Sequence, residues 1–82
     1  MKRLEIRGLP ADLFRGYLVD EFGGAAGADG TVTGPGWSAR FVEGEPIKFR
    51  HGSVRVLFVE FQGPAEAEAS AFLARKAMRG GG

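Results

Sequence analysis

Residues 53–62 read SVRVLFVEFQ, and this stretch decides the fold. It is rich in β-branched and aromatic residues, which predicts a long strand. Residues 47–50, just before it, favour a second strand, and the dipeptide His51-Gly52 between the two is typical of a two-residue hairpin loop. Histidine tolerates a positive φ better than most residues, so His-Gly can replace the more usual Asn-Gly. The sequence therefore predicts an antiparallel hairpin here.

The predicted hairpin loop fixes the register and, with it, the two faces of the sheet. Lys48 is expected opposite Arg55, and Ile47 opposite Val56. The face toward the helices is then expected to consist of Ile47, Phe49, Val54, Val56 and Phe58. The open face is expected to consist of Lys48, Arg50, Ser53 and Arg55, followed by Leu57, Val59 and Phe61.

The preceding strand, residues 37–42, can be placed on the same two faces. If a three-residue loop at positions 44–46 follows this strand, the apolar residues of the strand lie on the core face, namely Trp37, Ala39 and Phe41. Arg40 then falls beside Arg50, with Arg3 and Arg7 on the same open side. The sequence thus predicts a sheet with a strongly basic open face.

The N-terminal half of the chain predicts a strand, a helix and a connection. Apolar and charged residues alternate over residues 2–7, as in a half-buried strand. Large apolar residues repeat every four positions over residues 11–22, which indicates an amphipathic helix. Residues 23–30, GGAAGADG, are expected to form a flexible connection.

The C-terminal end of the chain completes the predicted fold. A short strand is expected at residues 31–33. An alanine-rich helix is expected at residues 65–79, with glutamates in its first turn and basic residues in its last, the charge order that the helix dipole favours. The element order is then β-α-β-β-β-β-α. We expect a single α+β domain over residues 1–82, a two-layer sandwich with two helices on one face of a mostly antiparallel sheet.

The composition of the 82-residue chain excludes several classes of function. There is no cysteine and His51 is the only histidine, which excludes disulfides, a thiol nucleophile and a histidine-rich metal site. Charged residues near the start leave no apolar run for a secretory leader, and no run is long enough to span a bilayer, so a cytoplasmic location is expected. The absence of asparagine and the excess of arginine over lysine fit a thermophilic source or a high genomic GC content.

Basic residues of the predicted open face are candidates for binding an anion or a nucleic acid. Lys48 opposite Arg55 would place like charges together, a small structural cost that a bound anion would remove. Glu5, Glu43 and Glu45 could equally neutralise the cluster, which would then be an ordinary solvated face. The candidate anion-binding residues are Arg40, Lys48, Arg50 and Arg55.

An apolar row on the same predicted face suggests a second kind of surface. Leu57, Val59 and Phe61 are three large residues that the predicted register exposes side by side. Such a row usually marks an interface or a covering segment. We therefore expect these residues to form a homodimer interface or to dock a protein partner, with nucleic acid as the alternative partner and no membrane association.

Glycine-rich segments and the histidine have functional alternatives. GGAAGADG has the composition of a phosphate-binding loop, but it follows a helix instead of opening one. The tail Arg79-Gly80-Gly81-Gly82 is similar to that of ubiquitin-like sulfur carriers, in which a strand and not a helix precedes the glycines. Gly80 is therefore expected to end the helix as its C′ residue. His51 is expected to be a turn residue, since no partner is placed to orient it.

Three segments together resemble a known family: KRLEIRGLP with a following helix, the GPGW turn, and the strand SVRVLFVEFQGP. They resemble the C-terminal, TBP-like domain of the MoaD-related protein family, which is named for molybdopterin-synthase small subunits. The resemblance implies a TBP-like fold and a link to sulfur-carrier or molybdenum-cofactor pathways, and it assigns no functional residues. We expect a non-enzymatic interaction domain without catalytic residues, metal or cofactor.

Overall fold

A computed structural model describes residues 1–80 of the chain, and the side chains of residues 1–78. The elements follow one another as β1 (Lys2–Arg7), α1 (Ala11–Glu21), β2 (Ala25–Ala26), β3 (Val32–Gly34), β4 (Trp37–Glu43), β5 (Ile47–Phe49), β6 (Gly52–Val54), β7 (Val56–Gln62) and α2 (Glu66–Gly80). The first predicted strand and both predicted helices are confirmed, with ends that shift by at most one residue. Gly80 belongs to the last helix, and residues 81 and 82 of the glycine tail lie outside the described residues.

Five strands form one antiparallel sheet in the order β1-β7-β4-β3-β2. The strand β7 lies between β1 and β4, so that Val59 has Leu4 on one side and Phe41 on the other. The core consists of the apolar residues on one face of this sheet together with those of α1 and α2. This arrangement confirms the predicted α+β class and the two-layer sandwich with a mostly antiparallel sheet.

Each helix packs through residues one turn apart. Phe14 and Leu18 of α1 are fully buried, and so are Ala69 and Leu73 of α2. Residues at positions i and i+4 share one helix face, so this spacing turns a continuous apolar stripe toward the sheet. Neither helix, over the residues described, has the length and apolar character needed to cross a membrane.

The sheet and α2 meet at a close backbone approach that requires glycine. Gly63, between β7 and α2, has a φ of +110°. A Cβ atom there would overlap the carbonyl oxygen of Gly36, which is also the acceptor for the Ala65 N–H at 2.8 Å. The turn before β4 and the start of α2 are therefore fixed to each other by main-chain contacts.

The predicted register of the hairpin is wrong. β5 and β6 form a separate two-stranded sheet in which Lys48 lies opposite Ser53 and not opposite Arg55. The turn between them is formed by Arg50 and His51, and Gly52 already belongs to β6. The strand predicted over residues 53–62 is interrupted at Arg55 before β7 begins. The faces of the hairpin therefore do not determine the faces of the main sheet.

The interruption at Arg55 reverses the predicted orientation of β7. Leu57, Val59 and Phe61 are 1%, 0% and 0% exposed and belong to the core, so the prediction that they form an exposed interface is wrong. Phe58, expected in the core, lies on the open face, where the guanidinium of Arg3 is 4.1 Å from its ring centroid. The core positions expected on β4 are confirmed for Trp37, Ala39 and Phe41.

The segment predicted to be a flexible connection contains a short strand and a turn. Ala25 and Ala26 form β2, which pairs with β3 at the far edge of the sheet. The Gly27 N–H donates to the Thr31 carbonyl oxygen at 2.8 Å, and one carboxylate oxygen of Asp29 accepts from the Thr31 N–H at 3.0 Å. These local hydrogen bonds give the glycine-rich segment a defined path.

Candidate interaction surface

Backbone hydrogen bonds hold the two chain segments at the base of the β5–β6 hairpin, where it meets the main sheet. The Gly8 N–H donates to the carbonyl oxygen of Arg55 at 3.0 Å, and the Gly44 N–H donates to that of Val56 at 2.8 Å. Beyond these bonds the hairpin has its own ladder, with Ile47 opposite Val54. Its position is therefore set by main-chain contacts at its base.

Exposed cationic and aromatic side chains occur at the end of this hairpin and at its base. Lys48, Phe49, Arg50 and Arg55 are all exposed, and we refer to these four residues as the basic hairpin surface. Phe49 is 59% exposed and is the one exposed phenylalanine, tyrosine or tryptophan within residues 1–78. A large exposed ring next in sequence to two cations is unlike the isolated aliphatic residues that soluble proteins usually expose.

The charges of this surface are left without partners. Within residues 1–78, no ion pair at 4.0 Å or less involves Lys48, Arg50 or Arg55. Of the acids considered as possible neutralising groups, Glu5 pairs with Arg7 at 2.6 Å, and Glu43 lines the same depression as Arg55 without an ion pair to it at 4.0 Å or less. The three cations of the basic hairpin surface are thus available to an acidic or anionic partner.

Arg40 does not join these cations, which separates the four predicted anion-binding residues. Arg40 is on β4 and lies opposite Glu60 of β7. Its Nη1 atom is 4.0 Å from the Glu60 carboxylate. Glu60 is near the far end of β7, whereas Arg55 directly precedes the start of that strand. The prediction that Arg40 falls beside Arg50 is therefore wrong, because the hairpin is not part of the main sheet.

Two depressions flank Arg55 at the base of the hairpin. One, of about 550 Å³, lies between the β1–α1 connection and the hairpin and is lined by Gly8, Pro10, Pro46, Ser53, Val54 and Arg55. The other, of about 270 Å³, lies against the start of α1 and the ends of β4 and β7. Arg55 and Pro10 line both. A partner that contacts the basic hairpin surface would therefore meet a concave base beside it.

The smaller depression has side chains of both charges. Asp12 and Arg15 of α1 face Glu43 and Arg55 across it, with Phe41 and Leu57 as its apolar part. Arg15 is already engaged, since its Nη1 atom donates to Asp12 at 2.7 Å and its guanidinium lies 4.9 Å from the Phe41 ring centroid. The depression thus offers mixed charge, in contrast to the purely cationic end of the hairpin.

Sequence reasoning missed the exposure of Phe49 and the separation of the hairpin from the sheet. A signal for both lies in β7 itself. Glu60 and Gln62 share one face of that strand, and a carboxylate and an amide are poor candidates for a core face. The alternate residues Leu57, Val59 and Phe61 are then assigned to the core. An uninterrupted strand from the hairpin would instead place them on the open face with Arg55, so the two assignments conflict.

Comparison with known protein families places the chain in one of them. No curated protein matches the chain. The family model described as "Archaeal MoaD-like protein" matches residues 2–82, which is nearly the full length of the chain. The protein is therefore a small α+β domain that belongs to the archaeal MoaD-like family.

Proposed function

We propose that this chain is a non-enzymatic protein-docking domain that binds an acidic surface of a partner protein through the basic hairpin surface. The observation that supports this most directly is the exposed Phe49, whose neighbours in the sequence, Lys48 and Arg50, are exposed cations without an ion pair at 4.0 Å or less within residues 1–78. Aromatic and arginine side chains are enriched among the residues that dominate binding energy at protein interfaces. Membership of the MoaD-like family makes a protein of sulfur-carrier or molybdenum-cofactor metabolism the first partner to test.

The chemistry of the surface favours binding over catalysis. The cations attract an acidic group, and the aromatic ring attracts an apolar one. A partner that buries the ring of Phe49 gains a binding free energy of roughly 25 cal/mol per Å² of apolar area removed from water. The depressions beside Arg55 offer room for side chains that border the main contact. The hairpin itself is held by backbone bonds, so docking requires no rearrangement of the core.

A nucleic acid is the second candidate partner, and the same residues favour it. Single-stranded nucleic acids bind where a base stacks on an aromatic ring while nearby cations contact phosphates. Phe49 with Lys48, Arg50 and Arg55 offers that combination. Arg40 does not add to it, since Arg40 lies on the open face beside Glu60. A three-cation contact of this kind would give a salt dependence of about two counterions released for a single strand.

Site-specific crosslinking distinguishes these two partners. A photoreactive phenylalanine analogue is placed at position 49, and at position 19 as the control, because Val19 is an exposed apolar residue on α1. We expect crosslinks to one protein from extracts of the source cells at position 49 and not at position 19. Crosslinks at position 49 to nucleic acid alone would instead support the second candidate.

Binding measurements with the purified partner then test the residues. We expect Phe49→Ala and Arg50→Glu each to raise the Kd by about tenfold or more, since residues at the centre of an interface typically have effects of this size. Val19→Ala is the matched control and should leave the Kd unchanged. If the hairpin variants bind as tightly as the unmodified chain, the proposal is wrong.

A further inference from the structure

β1 is an edge strand of the five-stranded sheet, and its outer backbone groups have no partner strand within residues 1–80. It pairs with β7 alone, and its register is unbroken from Lys2, opposite Phe61, to Arg7, opposite Val56. Proteins usually protect such an edge with charged side chains, a proline, a bulge or a very short strand, and of these β1 has the charged side chains. The opposite edge, β2, has two residues, whereas β1 has six and contains neither a proline nor a bulge.

The hydrogen bonds at the end of the strand show which backbone groups of β1 face outward. The Gly8 N–H donates to the Arg55 carbonyl oxygen, so this pair is a hydrogen-bonded one. Such pairs alternate along an antiparallel ladder. Ile6, Leu4 and Lys2 therefore direct their N–H and C=O groups toward β7. The groups of Arg3, Glu5 and Arg7 point away from the sheet.

The other side of β7 agrees with this alternation. The Gly44 N–H donates to the carbonyl oxygen of Val56, so Val56 directs its backbone groups toward β4. The next residue, Leu57, must then face β1, where it lies opposite Ile6. Two independent hydrogen bonds thus assign the same three residues of β1 to the free edge.

We propose that β1 pairs antiparallel with β1 of a second copy of this chain, which joins two sheets across a two-fold axis. Such an interface is isologous, so each pair of opposed residues occurs twice or lies on the axis. The outward residues must pair among themselves, and three of the possible registers pair Glu5 with an outward residue of the second copy. These place Glu5 opposite the second copy's Glu5, Arg3 or Arg7.

Charge selects among these registers. The register centred on Glu5 brings the two Glu5 carboxylates together and sets Arg3 opposite Arg7, and like charges directly opposite are unfavourable. The register centred on Ile6 joins only residues 5–7 of the strand. The register centred on Leu4 pairs Arg3 with Glu5 twice and sets the two Leu4 side chains against each other. It also engages residues 2–6 of both copies, so it is the one we propose.

The present contacts of these side chains fit this pairing. Glu5 accepts from its own Arg7 at 2.6 Å, and a carboxylate has lone pairs left for a second guanidinium. Arg3 lies with its guanidinium against the Phe58 ring, and its side chain is exposed. In the dimer it would lie between that ring and the Glu5 carboxylate of the second copy. Self-complementary charge of this kind favours a second copy over an extended peptide of another protein.

Charge reversal tests the register, with the full chain studied by sedimentation over a range of concentrations. We expect Arg3→Glu and Glu5→Arg each to weaken the dimer about tenfold or more, because each sets like charges opposite each other twice. The double variant should restore it. Arg40→Glu is the control, since it makes the same charge change on the same face but on an inner strand.

Hydrogen exchange gives a second measurement that does not depend on the variants. The amides of Arg3 and Glu5 should exchange fast in dilute samples and become protected at high concentration, while the amide of Leu4 is protected in both. A chain that stays monomeric at every concentration overturns the proposal. So does a dimer that Arg3→Glu leaves intact, or one that the double variant fails to restore. None of these outcomes bears on the basic hairpin surface, which is a separate part of the molecule.

Discussion

The Nε atom of Arg15 donates a 2.7 Å hydrogen bond to the carbonyl oxygen of Gly30. This bond joins the middle of α1 to the loop that leads into β3. The same guanidinium donates to Asp12 at 2.7 Å and lies against the Phe41 ring, so one side chain connects a helix, a loop and the sheet.

We expect Arg15→Met to lower the free energy of unfolding by about 1–2 kcal/mol, since a hydrogen bond from a charged donor contributes about this much when it is partly buried. The side chain of Arg15 is 27% exposed. Arg7→Met is the matched control, because the Arg7–Glu5 pair is exposed and surface pairs contribute about 0–1 kcal/mol. Urea denaturation measures both. Equal losses in the two variants would contradict a bracing role for Arg15.

Gly63→Ala should be among the most destabilising small substitutions in the chain. The added methyl would meet the Gly36 carbonyl oxygen at a φ of +110°, so the backbone itself must move, and a loss of about 2–4 kcal/mol is expected. Gly23→Ala separates the two causes, because Gly23 has a φ of +75° but open space around it. Its loss should stay near 1–2 kcal/mol, the backbone strain alone. Thermal unfolding of both variants tests this difference.

The sequence places Phe49 in the core and Phe61 on the open face, whereas in the structure Phe49 is exposed and Phe61 is buried. Alanine substitutions at the two positions should therefore differ strongly in their effect on stability. Phe61→Ala removes a fully buried ring and should lower the free energy of unfolding by about 3–5 kcal/mol. Phe49→Ala removes an exposed ring at the hairpin end and should change it by no more than about 0.5 kcal/mol. Denaturant unfolding decides, and a large loss for Phe49→Ala would mean that the hairpin packs more tightly than described.

The pKa of Asp29 should lie below its ordinary value of 3.8. Its carboxylate accepts one hydrogen bond from the Thr31 N–H and another, at 3.2 Å, from the Thr31 hydroxyl. These bonds lower the pKa of Asp29 from 3.8, and the backbone bond is the larger cause. Because the folded pKa is the lower one, this contribution to stability is present above pH 3.8 and is lost as the pH falls through the folded pKa.

Carboxyl-detected NMR titration of Asp29 checks this shift. The midpoint is expected below 3.8 in the unmodified chain. Thr31→Val should move it part of the way back, because the backbone hydrogen bond, which is the larger cause, remains. A midpoint at or above 3.8 in the unmodified chain would show that these hydrogen bonds do not persist in solution.

Much of the fold could be predicted because its local patterns are unambiguous. Alternation over residues 2–7 and the four-residue repeat of α1 each leave one face apolar, and both elements lie where these patterns place them. The core positions of β4 followed in the same way. Periodicity is the most reliable local signal, because burial of one face is what stabilises the element.

The register around Arg55 could not be predicted from these local patterns. A strand of alternating residues reverses its faces when one residue leaves the ladder. Glu60 and Gln62 indicate that such a break precedes β7, but nothing in VRVLF shows at which residue it happens. The interruption depends on backbone bonds to Gly8 and Gly44, which are remote in sequence. The exposure of Lys48, Arg50 and Arg55 was predicted correctly, whereas Phe49 and Arg40 were misplaced because their positions follow from the sheet to which each strand belongs.

The interruption at Arg55 also bears on how members of this fold can diverge. Because the hairpin is attached through main-chain bonds at its base, residues 47–54 can be substituted, or their turn lengthened, with little effect on Leu57, Val59 and Phe61. Selection can therefore act on one stretch for recognition and on the next for folding. A chain built in this way can acquire new partners by exchanging a few consecutive residues while its interior stays the same.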